Sequence, residues 1–246
     1  MATPKNWILL RGLARGVGHW GSFVTTLKSR FPNDNFELID IPGNGLRCHE
    51  KSPTSIPEYV KDMRERSEFV RNRKNFHLFA VSLGGMITVE WMRQFPHEVE
   101  KAFVVCTSSA STSSFHERLL ADNYGKVLRM VTSKRDDAEW ERTILNMIVN
   151  DHERRSAEMA QMIQFSKDHP VKLANVARQL LAASRYRFPE QAPGNIKVIG
   201  SYGDRLVSPT CSLKIAERWG TTAVMHSWAG HDVPLDDPQW LIEQLL

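Results

Sequence analysis

The sequence lacks three features that would assign it to a special class of protein: abundant cysteine, a long hydrophobic run and a block of like charge. Its 246 residues include three cysteines, at positions 48, 106 and 211. They are too few and too scattered for a disulfide framework or a cysteine-based zinc site. Cys106 lies in an apolar, strand-like run, which predicts a buried small side chain. We therefore expect a reducing compartment and no structural metal.

The absence of long apolar runs bears on location. No run approaches the ~20 apolar residues of a transmembrane helix, and residues 1–6 reach Trp7 without the apolar core of a signal peptide. We therefore expect no membrane span and a cytoplasmic protein.

The charge pattern bears on partners. The net charge is +4 and the pI is about 9.0, but basic and acidic residues are interleaved, as in Asp151–Arg155. A nucleic-acid-binding face needs an uninterrupted basic stripe, whereas interleaved charge is typical of a solvated surface. We expect no nucleic-acid partner, and nothing in the sequence indicates the oligomeric state.

Short apolar runs alternate with amphipathic segments, which indicates an α/β fold with a mostly parallel central sheet flanked by helices. One such segment predicts a helix with an apolar face from Ile56 to Val70 and a capping box formed by Ser55 and Glu58. The predicted strands are Trp7–Leu10, Phe36–Asp40, Phe76–Val81, Lys101–Thr107 and Asn195–Tyr202, with a weaker candidate in Thr222–Trp228.

One interval interrupts this alternation. From Ser113 to Pro189 the sequence contains helical patterns and no convincing strand. We expect residues 113–189 to form an inserted helical cap on a core made of residues 1–112 and 190–246. Trp140, Met147, Met159 and Met162 are candidates to line a pocket beneath it. The alternative to a cap is a set of long crossover helices, and the alternative role for the four side chains is to pack cap helices onto one another.

The motif with the clearest chemical meaning is Phe76–Gly85, in which an apolar strand runs directly into a serine, Ser82, followed by Leu83 and two glycines. A helical pattern follows from Met86. A serine at such a sharp strand-to-helix turn is exposed at the end of the strand, and the turn needs small neighbours. Ala80 replaces the first glycine of the usual Gly-x-Ser-x-Gly pattern. The alternative role for Ser82 is a helix N-cap.

A serine nucleophile needs a base, and the base needs a third group to orient it. Asp204 follows the predicted strand Asn195–Tyr202, and His231 lies near the C-terminus in Ala-Gly-His-Asp. The chain order serine, aspartate, histidine is that of enzymes with this turn. His19, His77, His97 and His226 are the rival histidines. Asp232 adjoins His231, but sequence neighbours generally point in different directions.

These motifs together resemble the α/β-hydrolase family over nearly the whole chain. Five landmarks occur in family order: Arg11–Gly12 with Trp20 further on, Asp40–Gly45, Ala80–Gly85, Gly203–Val207 and Gly230–His231. The length and the helical cap are loosely similar to small bacterial carboxylesterases, including the carrier-protein methyl esterase of biotin synthesis. That likeness identifies neither a substrate nor a carrier-protein partner.

The resemblance implies a serine esterase that cleaves a carboxylic ester of a small molecule through an acyl-enzyme. Ser82 would be the nucleophile, His231 the base and Asp204 the acid that orients it. The family's alternative acid position reads Thr107–Ser111 here, without a carboxylate. Backbone N–H groups of Leu13 and Leu83 would form the oxyanion hole, and neither cofactor nor metal is required.

Three alternatives stay open at the sequence level. A thioester would suit the same machinery, and some relatives are lyases or cleave C–C bonds in carboxylate-bearing substrates. A non-catalytic binding module is the third. Arg11 replaces the histidine usual in the family before the first oxyanion donor, and it would either attract an anionic substrate or form a structural salt bridge.

Overall fold

The computed structural model describes residues 3–132 and 136–246. Residues 1–2 of the predicted core and 133–135 of the predicted cap lie outside the described part. Six strands form one sheet in which every neighbouring pair is parallel, in the order β2-β1-β3-β4-β5-β6. They are β1 (Asn6–Leu10), β2 (Asn35–Leu38), β3 (Phe76–Val81), β4 (Val99–Val105), β5 (Ile196–Ser201) and β6 (Val224–His226).

The strand order reverses direction between β1 and β3. After β1 the chain moves outward to β2, and it then returns to place β3 on the other side of β1. The loops after β1 and β3 therefore diverge at the carboxyl edge of the sheet, which is where open parallel sheets bind ligands.

Helices cover both faces of this sheet, as the alternating sequence pattern predicted. They are α1 (Phe23–Arg30), α2 (Ile56–Arg66), α3 (Glu68–Arg71), α4 (Leu83–Gln94), α5 (Phe115–Arg118), α6 (Tyr124–Thr132), α7 (Asp137–Ile148), α8 (His152–Asp168), α9 (Leu173–Arg185), α10 (Thr210–Arg218), α11 (Val233–Asp236) and α12 (Pro238–Glu243).

The core has two layers because successive residues of a strand point to opposite faces. On β1, Ile8 and Leu10 face the layer that contains α2 and α4. Trp7 and Leu9 face the layer that contains α1 and α12. All six residues of β3 are buried, so the strand that carries Ser82 lies in the rigid centre of the sheet.

Between β4 and β5 the described residues contain helices α5–α9 and no strand. Asp136 caps α7 by accepting hydrogen bonds from the backbone N–H groups of Ala138 and Glu139, and Asp151 caps α8 in the same way. An apolar cluster joins α7, α8 and α9 to Ala14 in the loop after β1. The division of the chain into a core and a cap stays a prediction.

Two local predictions were wrong. The predicted helix over Ile56–Val70 ends at Arg66 and restarts as α3, because Ser67 is extended and its hydroxyl bonds to Glu37 on β2. Ser55 occupies the N-cap position of α2, but its side chain makes no capping hydrogen bond. Across the described residues, no helix combines the length and apolar character needed to cross a bilayer.

Candidate active site

Ser82 lies in a strained turn between β3 and α4. Its backbone has φ 56° and ψ −117°, a combination that costs about 1–3 kcal/mol in a residue with a side chain. The turn is fixed from both sides. The backbone N–H of Ser82 donates to Val105, and its carbonyl accepts from Gly85 and from the Thr107 hydroxyl. The strain and the small neighbours are those of a nucleophile elbow.

Two glycines let the loop after β1 approach this turn closely. A Cβ atom added to Gly12 would lie 3.0 Å from the Cβ of Ser82, and one added to Gly84 would lie 2.7 Å from the carbonyl oxygen of Leu10. Any larger residue at Gly84 would push α4 away from β1. The glycines therefore bring the backbone at Gly12, the residue before Leu13, next to the Ser82 side chain.

Asp204 and His231 are joined directly. The Asp204 Oδ2 atom lies 2.7 Å from His231 Nδ1, while Oδ1 accepts hydrogen bonds from the backbone N–H groups of Leu206 and Val207, each at 2.9 Å. A carboxylate only accepts, so His231 carries its proton on Nδ1 and keeps the lone pair on Nε2. This is the form that a general base needs.

The charge around His231 favours proton uptake. Burial lowers the pKa of His231, but the neighbouring carboxylates of Asp204 and Asp232 outweigh that effect, and Arg11 opposes them. The net result is a pKa above the ordinary value for histidine. A buried imidazolium would thus be stabilised when it forms.

The predicted nucleophile and the predicted oxyanion donors make no hydrogen bonds within the described part of the protein. Among the described residues, the Ser82 hydroxyl makes no hydrogen bond, and neither do the backbone N–H groups of Leu13 and Leu83. The structure therefore joins Asp204 to His231 but contains no hydrogen bond between His231 and Ser82. Apo forms of catalytic sites are often loose in this way.

No protein-family model matches the chain, and no curated protein matches its sequence. Solved structures match it over nearly its full length. An α/β-hydrolase fold protein from Chitinophaga pinensis superposes with a TM-score of 0.72 at 15% identity, covering 100% of this chain and 90% of the other. The chain has the α/β-hydrolase fold.

Two further α/β-hydrolase-like neighbours carry names of known reactions. A thermophilic esterase from Thermogutta terrifontis has a TM-score of 0.71 at 14% identity, with 100% of this chain and 89% of that one covered. A 2-hydroxy-6-oxo-6-phenylhexa-2,4-dienoate hydrolase from a Rhodococcus species has a TM-score of 0.74 at 17% identity, with 98% and 89% covered. At such low identity the likeness establishes the fold and not the reaction.

In this α/β-hydrolase fold, Cys106 is buried, as its apolar surroundings in the sequence predict, and it lies close to Asp204 and His231. It directly follows the last residue of β4 and has a positive φ of 49°. Burial, followed by the charge of Asp204, raises the pKa of the thiol well above its usual value, so the thiol stays neutral. Cys106, Asp204 and His231 also offer possible metal-ligand atoms within 4.8 Å of one another.

Arg11 forms a buried ion pair with Asp232. One guanidinium nitrogen lies 2.9 Å from Asp232 Oδ1, and the other contacts Oδ2. The guanidinium also lies over the Trp20 ring, 4.6 Å from its centre. The sequence left two roles open for Arg11, attraction of an anionic substrate or a structural salt bridge, and in the structure Arg11 forms the salt bridge. Asp232 is the residue after His231, and no local sequence pattern indicates that it pairs with Arg11.

Two of the rival histidines, His226 and His19, have other hydrogen-bond partners, whereas His97 is exposed and neither ring nitrogen of buried His77 makes a hydrogen bond to the described residues. His226 accepts hydrogen bonds from the backbone N–H groups of Trp228 and Ala229 at Nδ1, and its Nε2 faces Asp237. His19 accepts from Gly16 and contacts the Ser166 hydroxyl. These hydrogen bonds hold in place the loop residues next to His226 and His19 in the sequence.

The predicted pocket residues join one apolar cluster. Trp140, Met147 and Met162 are buried in it, and Met159 packs against it, as does Leu13. The cluster therefore connects the helical segment with the loop that contains Leu13, the predicted first oxyanion donor. Whether it lines an acyl pocket stays a prediction.

Proposed function

We propose that this protein is a serine esterase that cleaves a carboxylic ester of a small molecule through an acyl-enzyme. The observation that carries the proposal is the strained turn at Ser82, φ 56°, at the edge of the sheet where Asp204 holds His231 by a 2.7 Å hydrogen bond. A backbone that stores strain at a serine, at the same sheet edge as an oriented histidine, supports nucleophilic catalysis.

In the proposed reaction, His231 Nε2 takes the proton of the Ser82 hydroxyl as its oxygen attacks the ester carbonyl. The negative charge that forms on the carbonyl oxygen is met by the N–H groups of Leu13 and Leu83, with help from the N-terminus of α4. The His231 proton then passes to the leaving alcohol. A water molecule, deprotonated by His231, releases the acid and restores Ser82.

Asp204 keeps His231 in the right tautomer and stabilises the imidazolium. Its second oxygen is held by the two backbone N–H groups of Leu206 and Val207, so the carboxylate cannot rotate freely away from the ring. A thioester would pass through the same steps with a thiol as the leaving group.

Reactions of a carboxylate-bearing substrate, including lyase chemistry, are the weaker alternative. They would be favoured by free arginines near Ser82, but Arg11 is paired with Asp232 and Arg15 with Glu141. Both pairs are buried, and breaking one to bind a substrate carboxylate would leave a buried charge without a partner.

The test is hydrolysis of p-nitrophenyl esters of several acyl lengths, combined with labelling by a fluorophosphonate. We expect turnover and labelling of the parent, and Ser82→Ala should lose labelling and on the order of 10⁴-fold or more in turnover. Ser29→Ala, at an exposed serine of α1, is the matched control. Labelling at another serine, or turnover that survives Ser82→Ala, would contradict the assignment.

A further inference from the structure

A buried chain of hydrogen bonds runs from helix α9 into the loop that carries Leu13. The Gln179 side chain is fully buried, and its Oε1 accepts a 2.9 Å hydrogen bond from the backbone N–H of Ala14. Its Nε2 donates to the Oδ1 of Asn44 at 2.6 Å and to the Ser52 hydroxyl at 3.1 Å. One amide therefore ties three separate segments together.

Asn44 passes this connection on to the peptide group of the oxyanion donor. Its Nδ2 donates to the carbonyl oxygens of Arg15 at 3.0 Å and Gly12 at 3.4 Å. The Gly12 carbonyl and the Leu13 N–H belong to one planar trans peptide, in which they point in opposite directions. Holding the carbonyl toward Asn44 therefore aims the Leu13 N–H away from it.

Gln179 also decides which way the Asn44 amide faces. Because Gln179 donates to the Asn44 oxygen, the Asn44 nitrogen is left to donate to the loop. Without that donor, the Asn44 amide could turn over, and its oxygen would then face two carbonyl oxygens. The orientation of the Gly12–Leu13 peptide thus depends on a side chain of α9.

The loop needs such support because its backbone is strained. Ala14 has a φ of 56°, which costs a residue with a Cβ atom about 1–2 kcal/mol. The Ala14 N–H that donates to Gln179 belongs to the Leu13–Ala14 peptide group, which directly follows the Gly12–Leu13 peptide group. The network is anchored on the far side by Ser52, whose hydroxyl donates to the Pro42 carbonyl.

From this geometry we infer that Gln179 is a positioning residue, which aims the Leu13 N–H at the developing oxyanion. This inference rests on the proposed esterase function. It makes helix α9, which sequence analysis assigned only to a cap, part of the support of the catalytic machinery.

The first test compares Gln179→Met, which keeps the length of the side chain and removes its hydrogen bonds, with Gln161→Met, the same change at an exposed site of α8. Loss of an oxyanion donor costs about 10²–10³-fold in kcat, so misaiming one should lower kcat by about 10- to 100-fold. KM should change little, and the fluorophosphonate reaction should slow in parallel. Gln161→Met should behave like the parent.

The second test measures the protection of the loop backbone from hydrogen exchange and does not depend on activity. Hydrogen exchange of the backbone in residues 11–16 should be faster in Gln179→Met than in the parent and unchanged in Gln161→Met. If the parent neither hydrolyses esters nor reacts with fluorophosphonate, the proposed function is wrong, whereas unchanged exchange in Gln179→Met overturns the positioning role itself. Faster exchange with unaltered kcat, or a rise in KM alone, also overturns it.

If Gln179→Met does not fold, Gln179→Glu takes its place. A carboxyl group buried at this site should have a raised pKa, and in its protonated form it keeps one acceptor for Ala14 and one donor for Asn44. We expect near-parental kcat while the group is protonated and a new fall in kcat as it ionises. A pH profile identical to that of the parent would overturn the inference.

Discussion

Removing one partner of the Arg11–Asp232 pair should destabilise the protein much more than removing both. The two side chains are only 3% and 2% exposed, so Arg11→Met leaves a buried carboxylate and Asp232→Leu a buried guanidinium. An uncompensated buried charge costs about 3–5 kcal/mol, whereas replacing both partners by apolar side chains of similar size is often close to neutral.

Thermal and urea unfolding measure these costs. For a chain of this length, about 1 kcal/mol lowers Tm by roughly 2–4 °C, so each single variant should lose roughly 6–20 °C. The double variant Arg11→Met/Asp232→Leu should recover most of that loss. If the double variant loses the sum of the two single losses, the side chains are not coupled and the ion-pair reasoning is refuted.

The same variants should move the pH dependence of activity in opposite directions. In the proposed mechanism His231 acts as a base only when neutral, so activity should rise with pH through its pKa. Arg11 lowers that pKa and Asp232 raises it. Arg11→Met should therefore shift the acid limb of kcat/KM to higher pH, and Asp232→Leu should shift it to lower pH. Shifts in the same direction would contradict the electrostatic argument.

Three further substitutions test separate parts of the fold. Gly12→Ala places a Cβ atom 3.0 Å from that of Ser82, so kcat should fall by about 10-fold, and an unchanged kcat would contradict the close approach. Gly125→Ala, in α6 with nothing within 4 Å of the added atom, should raise the free energy of unfolding by about 0.5 kcal/mol, as urea titration would show. Hydrogen bonds from Lys214 and Ser114 lower the pKa of Glu117 from 4.5 to about 2. Its contribution to the free energy of unfolding is therefore complete above pH 4.5 and is lost as the pH falls toward 2. Glu117→Gln should cost about 0.5–1 kcal/mol at neutral pH, after allowance for solvent screening, and a cost that persists at pH 2 would contradict this.

Much of the sheet could be predicted because its strands are short apolar runs whose burial leaves little choice of structure. The whole of β3 is buried, and the motif at its end can be identified from the sequence. The exact ends of strands and helices were harder to predict from the sequence. The predicted strand over Phe36–Asp40 stops at Leu38, and Asp40 instead accepts hydrogen bonds from the backbone of Val17 and Leu46.

Helix α2 shows how tertiary contacts override periodicity. The apolar spacing that predicts one helix to Val70 is present, but Ser67 interrupts it. Its hydroxyl donates to Glu37 and accepts from the Val70 N–H. The Glu37 partner is 30 residues away in sequence, and no local pattern indicates that it is close.

The same limit explains which parts of the candidate site the sequence could not reveal. Ser82, Asp204 and His231 stand in motifs whose spacing and neighbours have a local chemical meaning. Gln179 lies 165 residues from Ala14, and Arg11 lies 221 residues from Asp232. These support contacts have no motif, because any polar side chain that reaches the right atom can make them. Residues that touch the reacting atoms are constrained by chemistry, whereas the residues that aim them are constrained only by the geometry of the folded chain.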